Sequence, residues 1–324
     1  MHSNTRVMRA ARITGPRTFI VEAAPIPNPG PRQVRFRVEG CGVCASNLGP
    51  WLGLPWIRYP LRPGESGHEA WGVVDAVGED VSTVRVGQRI AAISYDSFAE
   101  YDVASADALI ELPAEFAAIP FPGEALGCAM NIFERSRIEP GQDVAIVGVG
   151  FLGALLVRLA ARNGARVLAI SRRPESLALA RRMGAQEAIA MDDHHQIISR
   201  VRELTDDRLC DRVIEATGQQ WPLDLAAELT RTRGVLVIAG YHQDGPRQVN
   251  MQLWNWRGLD VVNAHERETS TYVRGMREAL LAIRQNGLDP SPLYTHGFAL
   301  ERLGQAFDLA AERPAGFVKA VVVP

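Results

Sequence analysis

Asp143-Val144-Ala145-Ile146-Val147-Gly148-Val149-Gly150-Phe151-Leu152-Gly153 is the stretch that decides the fold. Its apolar front half is the pattern of a parallel strand buried on both faces. Three glycines follow in G-x-G-x-x-G spacing. Glycine there permits a tight turn, close approach of backbone to a pyrophosphate, and close packing of the next helix on the strand. That helix, Phe151 to Asn163 closed by Gly164, turns unpaired N–H groups and a positive dipole end toward the phosphates. Such glycines are a weak signal alone; a legible strand before and helix after give them meaning. Gly148, Gly150, Phe151, Leu152 and Gly153 are therefore predicted to bind a dinucleotide.

Outward from the turn the rhythm continues. Val167 to Ile170 reads as a strand, Pro174 to Met183 as a helix closed by Gly184, and Arg212-Val213-Ile214 and Val235 to Ile238 as further strands. Strand and helix alternating at this spacing predict an open, doubly wound α/β sheet. The tip of the second strand should choose the cofactor, because an acid there would hold a ribose 2′-hydroxyl. This chain has Ser171-Arg172-Arg173, with no carboxylate before Glu175. A hydroxyl and guanidinium groups suit a 2′-phosphate instead, so NADP(H) is expected over NAD(H). The missing acid carries more of that argument than the arginines. Lys319 is the single lysine among 35 basic residues, so arginine is common everywhere in the chain.

Before the sheet, the first third reads as β structure. Val34 to Val38 alternates apolar and charged residues, and Ala70 to Val77 and Arg89 to Ile93 resemble further strands between turns. The last 60 or so residues return to mixed character and end on a strand from Phe317 to Val323. A chain of 324 residues is long enough for two domains. A net charge of −2 offers no basic field for nucleic acid or an anionic membrane. No apolar run is long enough to span a bilayer, and Met1 to Thr14 lacks the apolar centre of a secretory leader. A cytoplasmic location is the expectation. Cys41, Cys44, Cys128 and Cys210 are too scattered for a disulfide framework. Cys41 and Cys44 form a C-x-x-C, but in a β-rich segment rather than at the start of a thioredoxin-like helix.

Two motifs stand in that first third: Gly40-Cys41-Gly42-Val43-Cys44-Ala45-Ser46-Asn47 and Gly64-Glu65-Ser66-Gly67-His68-Glu69. With Val73-Val74-Asp75-Ala76-Val77-Gly78, Val86-Gly87-Gln88-Arg89-Ile90, the glycine turn and Glu215-Ala216-Thr217-Gly218, they resemble the zinc-type medium-chain dehydrogenases. The resemblance runs from about Val34 to Val323. It implies a GroES-like β-barrel catalytic domain, residues 1–125 and 261–324, and a Rossmann cofactor domain, residues 126–260. It also implies a catalytic zinc held by Cys44, His68 and Glu124, with Glu69 beside the metal or alternating as a ligand. Thiolate, imidazole and carboxylate suit zinc, and three protein ligands leave a fourth position open. Ser46 matches a proton-relaying hydroxyl; where some relatives continue the relay with histidine, this chain has Gly49. Thr217 and Lys319 fall at cofactor positions, Lys319 at the pyrophosphate. Only Ile90 to Glu100 stands where many relatives carry a four-cysteine zinc lobe, and it holds no cysteine.

The reaction so implied is hydride transfer between the nicotinamide and a secondary alcohol, a polyol or a bulky alcohol or ketone, in a homodimer or homotetramer. Trp51, Ser94 and Tyr95 are the expected substrate-pocket residues. Asn263 to Arg267 is a polar cluster that lines either the cleft or a subunit edge. Trp254 and Trp256 are expected in the core or a subunit interface. Two rivals share parts of the pattern: a zinc-free quinone or enoyl reductase, and a cofactor-binding protein without catalysis. Neither needs Cys44, His68 and Glu124 together.

Overall fold

In a computed structural model that describes residues 6–117 and 119–324, the chain divides into two units. The first five residues of the N-terminal segment lie outside the described residues. Unit 1 comprises Met1–Gly127, Arg267–Leu280 and Pro290–Pro324; unit 2 comprises Cys128–Glu266 and Leu281–Asp289.

Unit 1 opens with the hairpin β1 (Val7–Gly15) and β2 (Thr18–Pro25), then β3 (Gln33–Gly42) and the short helix α1 (Leu48–Leu52). It continues with β4 (Ala70–Val77), β5 (Arg89–Ala92), β6 (Tyr101–Ser105), β7 (Leu109–Glu111) and the start of α2 (Gly123–Ser136). β3 is the central strand. Its alternation puts Val34, Phe36 and Val38 inward, and it pairs antiparallel with both β4 and β6. Phe36, Phe98, Trp51 and Phe307 belong to the large core cluster of this unit.

Unit 2 is built on β8 (Asp143–Val147), α3 (Phe151–Arg162), β9 (Arg166–Ser171), α4 (Pro174–Met183), β10 (Glu187–Ala190) and α5 (His194–Leu204). β11 (Cys210–Glu215), α6 (Gln220–Leu229), β12 (Thr230–Ile238), α7 (Met251–Arg257) and β13 (Asp260–Asn263) follow. The strands pair in the order β10-β9-β8-β11-β12-β13, all parallel. Every residue of β8 is buried, which is why Val144 to Val147 read as a continuous apolar run after Asp143. α4 begins with Pro174 at its first turn and ends at Gly184 in the left-handed region, as its sequence signals imply. β13 is the sixth strand of this sheet, and the segment Arg267–Leu280 that follows it belongs to unit 1. Trp254 packs on the core of this unit, whereas Trp256 is 88% exposed.

The chain then adds α8 (Thr269–Arg284), β14 (Tyr294–Ala299), α9 (Leu303–Glu312) and β15 (Lys319–Val323). β15 pairs with β14 and with the end of β3 at Cys41 and Gly42. That pairing sets the chain's C-terminal strand beside the cysteine motif. The architecture is the expected GroES-like domain and Rossmann domain.

Candidate functional site

β3 ends at Gly42 and delivers Cys44 at the start of a single helical turn, Ala45–Asn47. Asn47, 1% exposed, ties the two motifs together. Its Oδ1 accepts the Cys44 N–H at 2.7 Å, and its Nδ2 donates to the carbonyl of Ser66 at 2.7 Å. The same carbonyl accepts the Nδ1–H of His68 at 2.7 Å. A carbonyl can only accept, so Nδ1 carries a proton and Nε2 is the nitrogen left to face a metal. Ser46 Oγ lies 3.3 Å from that Nε2.

The ligand atoms of Cys44, His68 and Glu69 all lie within 4.8 Å of one another. Glu124 stands on the first turn of α2, outside that group, but its charge acts on both His68 and Lys319. Burial works against a charge on His68. The hydrogen bond and charge of Cys44, then Glu124 and Glu69, outweigh it and lift the imidazole to about 10. Three acidic groups thus converge on one imidazole, and a divalent cation would take the proton's place there. A sulfur, a free imidazole nitrogen and carboxylates form a donor set that fits zinc.

Glu69, 1% exposed, meets the ammonium of Lys319 through Oε1 at 2.7 Å and Oε2 at 2.5 Å. A Cβ on Gly42 would stand 2.0 Å from Glu69 Oε2, so only glycine leaves room for this pair. Burial opposes the Lys319 charge, but Glu69, with Cys44 and Glu124, outweighs it and raises the pKa. Lys319 was expected at the cofactor pyrophosphate. Its Nζ stands on the Glu69 carboxylate.

The three expected pocket residues, Trp51, Ser94 and Tyr95, differ in their surroundings. Trp51 is 2% exposed, stacked edge-on with Phe19 and tilted against Phe307, and its Nε1 donates to Asp308 at 2.8 Å. It is a core aromatic. Ser94 is 2% exposed with its hydroxyl 2.7 Å from that of Ser97, while Tyr95 is 64% exposed. One turns inward and its neighbour faces solvent.

In unit 2 each glycine of the turn has its own reason. Gly148 has φ +100, and a Cβ there would stand 2.4 Å from Thr217 Cγ2. Gly153 has its helix so close that a Cβ would lie 2.0 Å from the Gly148 carbonyl oxygen. Gly150 faces open space within 4 Å and caps α3, where a phosphate would approach the backbone. Phe151 and Leu152 open the helix behind it. Thr217 is fixed by the fully buried Glu215, which accepts the N–H groups of Thr217 (2.6 Å) and Gly218 (2.9 Å) and the Thr217 hydroxyl. His242 lies 3.1 Å from the other oxygen of Glu215, and Arg247 Nε donates to His242 Nδ1 at 2.9 Å. Ser171 ends β9 with 6% exposure, Arg172 is exposed, and Arg173 lies 4.0 Å from Glu175. From the cluster at 263–267, His265 stacks on Tyr241 at 5.3 Å and 12°.

Asn47, Ser66, His242 and Arg247 carry this geometry without having been singled out from the sequence. The one signal available was the position of Asn47 three residues after Cys44, the spacing of a side chain that reaches back to a backbone N–H.

Comparison with known proteins agrees with this layout. Residues 30–114 match the alcohol dehydrogenase GroES-like domain, and residues 152–280 match the zinc-binding dehydrogenase family. An alcohol dehydrogenase from an Aspergillus species is 34% identical over 52% of this chain and 58% of its own length. An L-threonine 3-dehydrogenase from an Anaeromyxobacter species is 28% identical over 93% of this chain and 94% of its own. A zinc-binding dehydrogenase from Sinorhizobium meliloti, solved bound to NADP, superposes with a TM-score of 0.83 at 23% identity, covering 98% of this chain and 100% of that one. The chain belongs to the medium-chain dehydrogenase/reductase family of the alcohol dehydrogenase type.

Proposed function

We propose that the chain is a zinc-dependent dehydrogenase that moves hydride between NADP(H) and a secondary alcohol, a polyol or a bulky alcohol or its ketone. The observation that carries this reading is the shared Ser66 carbonyl. It fixes the His68 tautomer and, through Asn47, holds the Cys44 segment to the His68 segment. A quinone or enoyl reductase working with cofactor alone has no need of that arrangement. Cys44, His68 and Glu124 would hold the ion, and Lys319 supports Glu124 over Glu69 as third ligand by neutralising Glu69. When bound, zinc polarises a substrate oxygen and the nicotinamide exchanges hydride with the carbon that bears it. Ser46, whose hydroxyl lies beside His68, would pass a proton to or from that oxygen.

The cofactor reading rests on Ser171 and Arg172 at the end of β9, with no carboxylate before Glu175. The NADP-bound relative of like fold supports it. Gly148, Gly150 and Gly153 would seat the pyrophosphate on α3.

His68→Ala tests the assignment. The variant should lose alcohol oxidation yet bind NADPH with wild-type affinity. Retained oxidation, or lost NADPH binding with zinc still present, would contradict it.

A further inference from the structure

The segment between β5 and β6, residues 93–100, is stapled by a buried carboxylate. Asp102 on β6 is 4% exposed. Its Oδ2 accepts the Ser97 hydroxyl at 2.5 Å and the Asp96 N–H at 3.1 Å, and its Oδ1 accepts the Val103 N–H at 2.7 Å. The Ser97 hydroxyl also meets that of Ser94 at 2.7 Å. Among the described residues no basic group lies within salt-bridge distance of Asp102; hydrogen bonds hold it, and Arg62 acts on it only through space. A buried carboxylate without a cation is costly. Packing alone would be served as well by another valine or alanine in a strand that already contains Val103 and Ala104.

What the carboxylate holds is the seat of the His68 turn. Ser97 N–H donates to the Gly67 carbonyl at 3.1 Å and Phe98 N–H to the Gly64 carbonyl at 3.1 Å. The approach is so close that a Cβ on Gly64 would lie 1.9 Å from the Asp96 carbonyl oxygen, and one on Gly67 2.4 Å from the Phe98 nitrogen. Between those glycines sits Ser66, at φ +80, presenting the carbonyl that orients His68 and Asn47. A non-glycine residue in that region is strained and keeps its conformation only when its surroundings impose it.

We propose that Asp102, acting through Ser97, is a positioning residue for the metal site. It locks residues 94–98 against the turn from Gly64 to Gly67 and so fixes the direction of His68 Nε2. The inference rests on the reading of Cys44 and His68 as metal ligands.

Asp102→Val and Ser97→Ala remove the staple from either side, and Ser97→Thr restores the hydroxyl. Val34→Ala opens a cavity in the same barrel core away from the turn and serves as the stability control. Zinc affinity is measured by chelator competition, and geometry by the absorption bands of the cobalt-substituted protein. Outer partners of a metal ligand are worth about 10–100-fold in affinity. We expect a loss of that size and shifted cobalt bands in Asp102→Val and Ser97→Ala, wild-type behaviour in Ser97→Thr, and a lowered Tm with unchanged metal binding in Val34→Ala. Should Asp102→Val not fold, Ser97→Ala decides. Unchanged zinc affinity and cobalt bands in Ser97→Ala, or an equal loss in Val34→Ala, overturns the inference. A wild type that takes up no metal overturns the metal reading beneath it.

Discussion

His68 donates its Nδ1–H to the carbonyl of Ser66, two residues earlier, and Ser66 adopts φ +80 to receive it. A left-handed residue costs about 1–2 kcal/mol unless it is glycine. Ser66→Gly should therefore fold as stably as the wild type or gain up to about 1 kcal/mol, the extra chain freedom of glycine offsetting part of the relief. Its zinc content should not change. Ser66→Val, branched at Cβ, should lose stability and metal together. Denaturant unfolding with zinc analysis on both variants checks this. Equal stability of the valine variant would show that the turn is not held in that conformation.

The proposed preference for NADP(H) rests on the end of β9. Ser171→Asp with Arg172→Ala should move preference from NADP(H) toward NAD(H), since an acid repels a 2′-phosphate and accepts bonds from a ribose diol. One charge-assisted contact is worth about 1.5–3 kcal/mol, or roughly ten- to hundredfold in relative affinity. The ratio of kcat/KM for the two cofactors reads it. A wild type that already prefers NAD(H) would reduce these arginines to background composition.

Asp96 gives a pH dependence whose sign is fixed. Burial and the neighbouring charge of Asp102 push its carboxyl from 3.8 up to about 6, against the pull of Arg62. The unfolded chain loses this proton near the lower value and the folded protein near the higher. Between them the folded state binds more protons, so this group's contribution to stability falls as pH rises through that window and stays low above it. Asp96→Asn should therefore have a higher Tm than wild type at about pH 8, an advantage that disappears by about pH 4. A variant that is less stable at the higher pH would show that the Arg62 pair outweighs the burial.

The sheet of unit 2 was legible because its strands are buried on both faces and its helices carry their own stops, as at Pro174 and Gly184. Cys44 and His68 were legible because the motifs around them are specific. The long-range partners of Trp51 and Lys319 were not. Trp51 looks like a pocket wall by its place after the cysteine motif, yet Phe19 and Phe307, far away in sequence, draw it into the core. Lys319 reads as a cofactor contact, and nothing local tells that β15 pairs with Gly42 and sets its ammonium on Glu69. Asp102 left no trace in the pattern of β6, because alternation reports which side a residue faces and not whether a buried acid finds partners there. These are long-range contacts, and a local reading has no access to them.

The central claim is that Cys44, His68 and Glu124 hold a catalytic zinc, and metal analysis of protein purified without a histidine tag tests it most directly. About one zinc per chain is expected, lost in His68→Ala, with alcohol oxidation falling in step as the metal is chelated. A metal-free protein that still transfers hydride from NADPH to an activated C=C bond would contradict it.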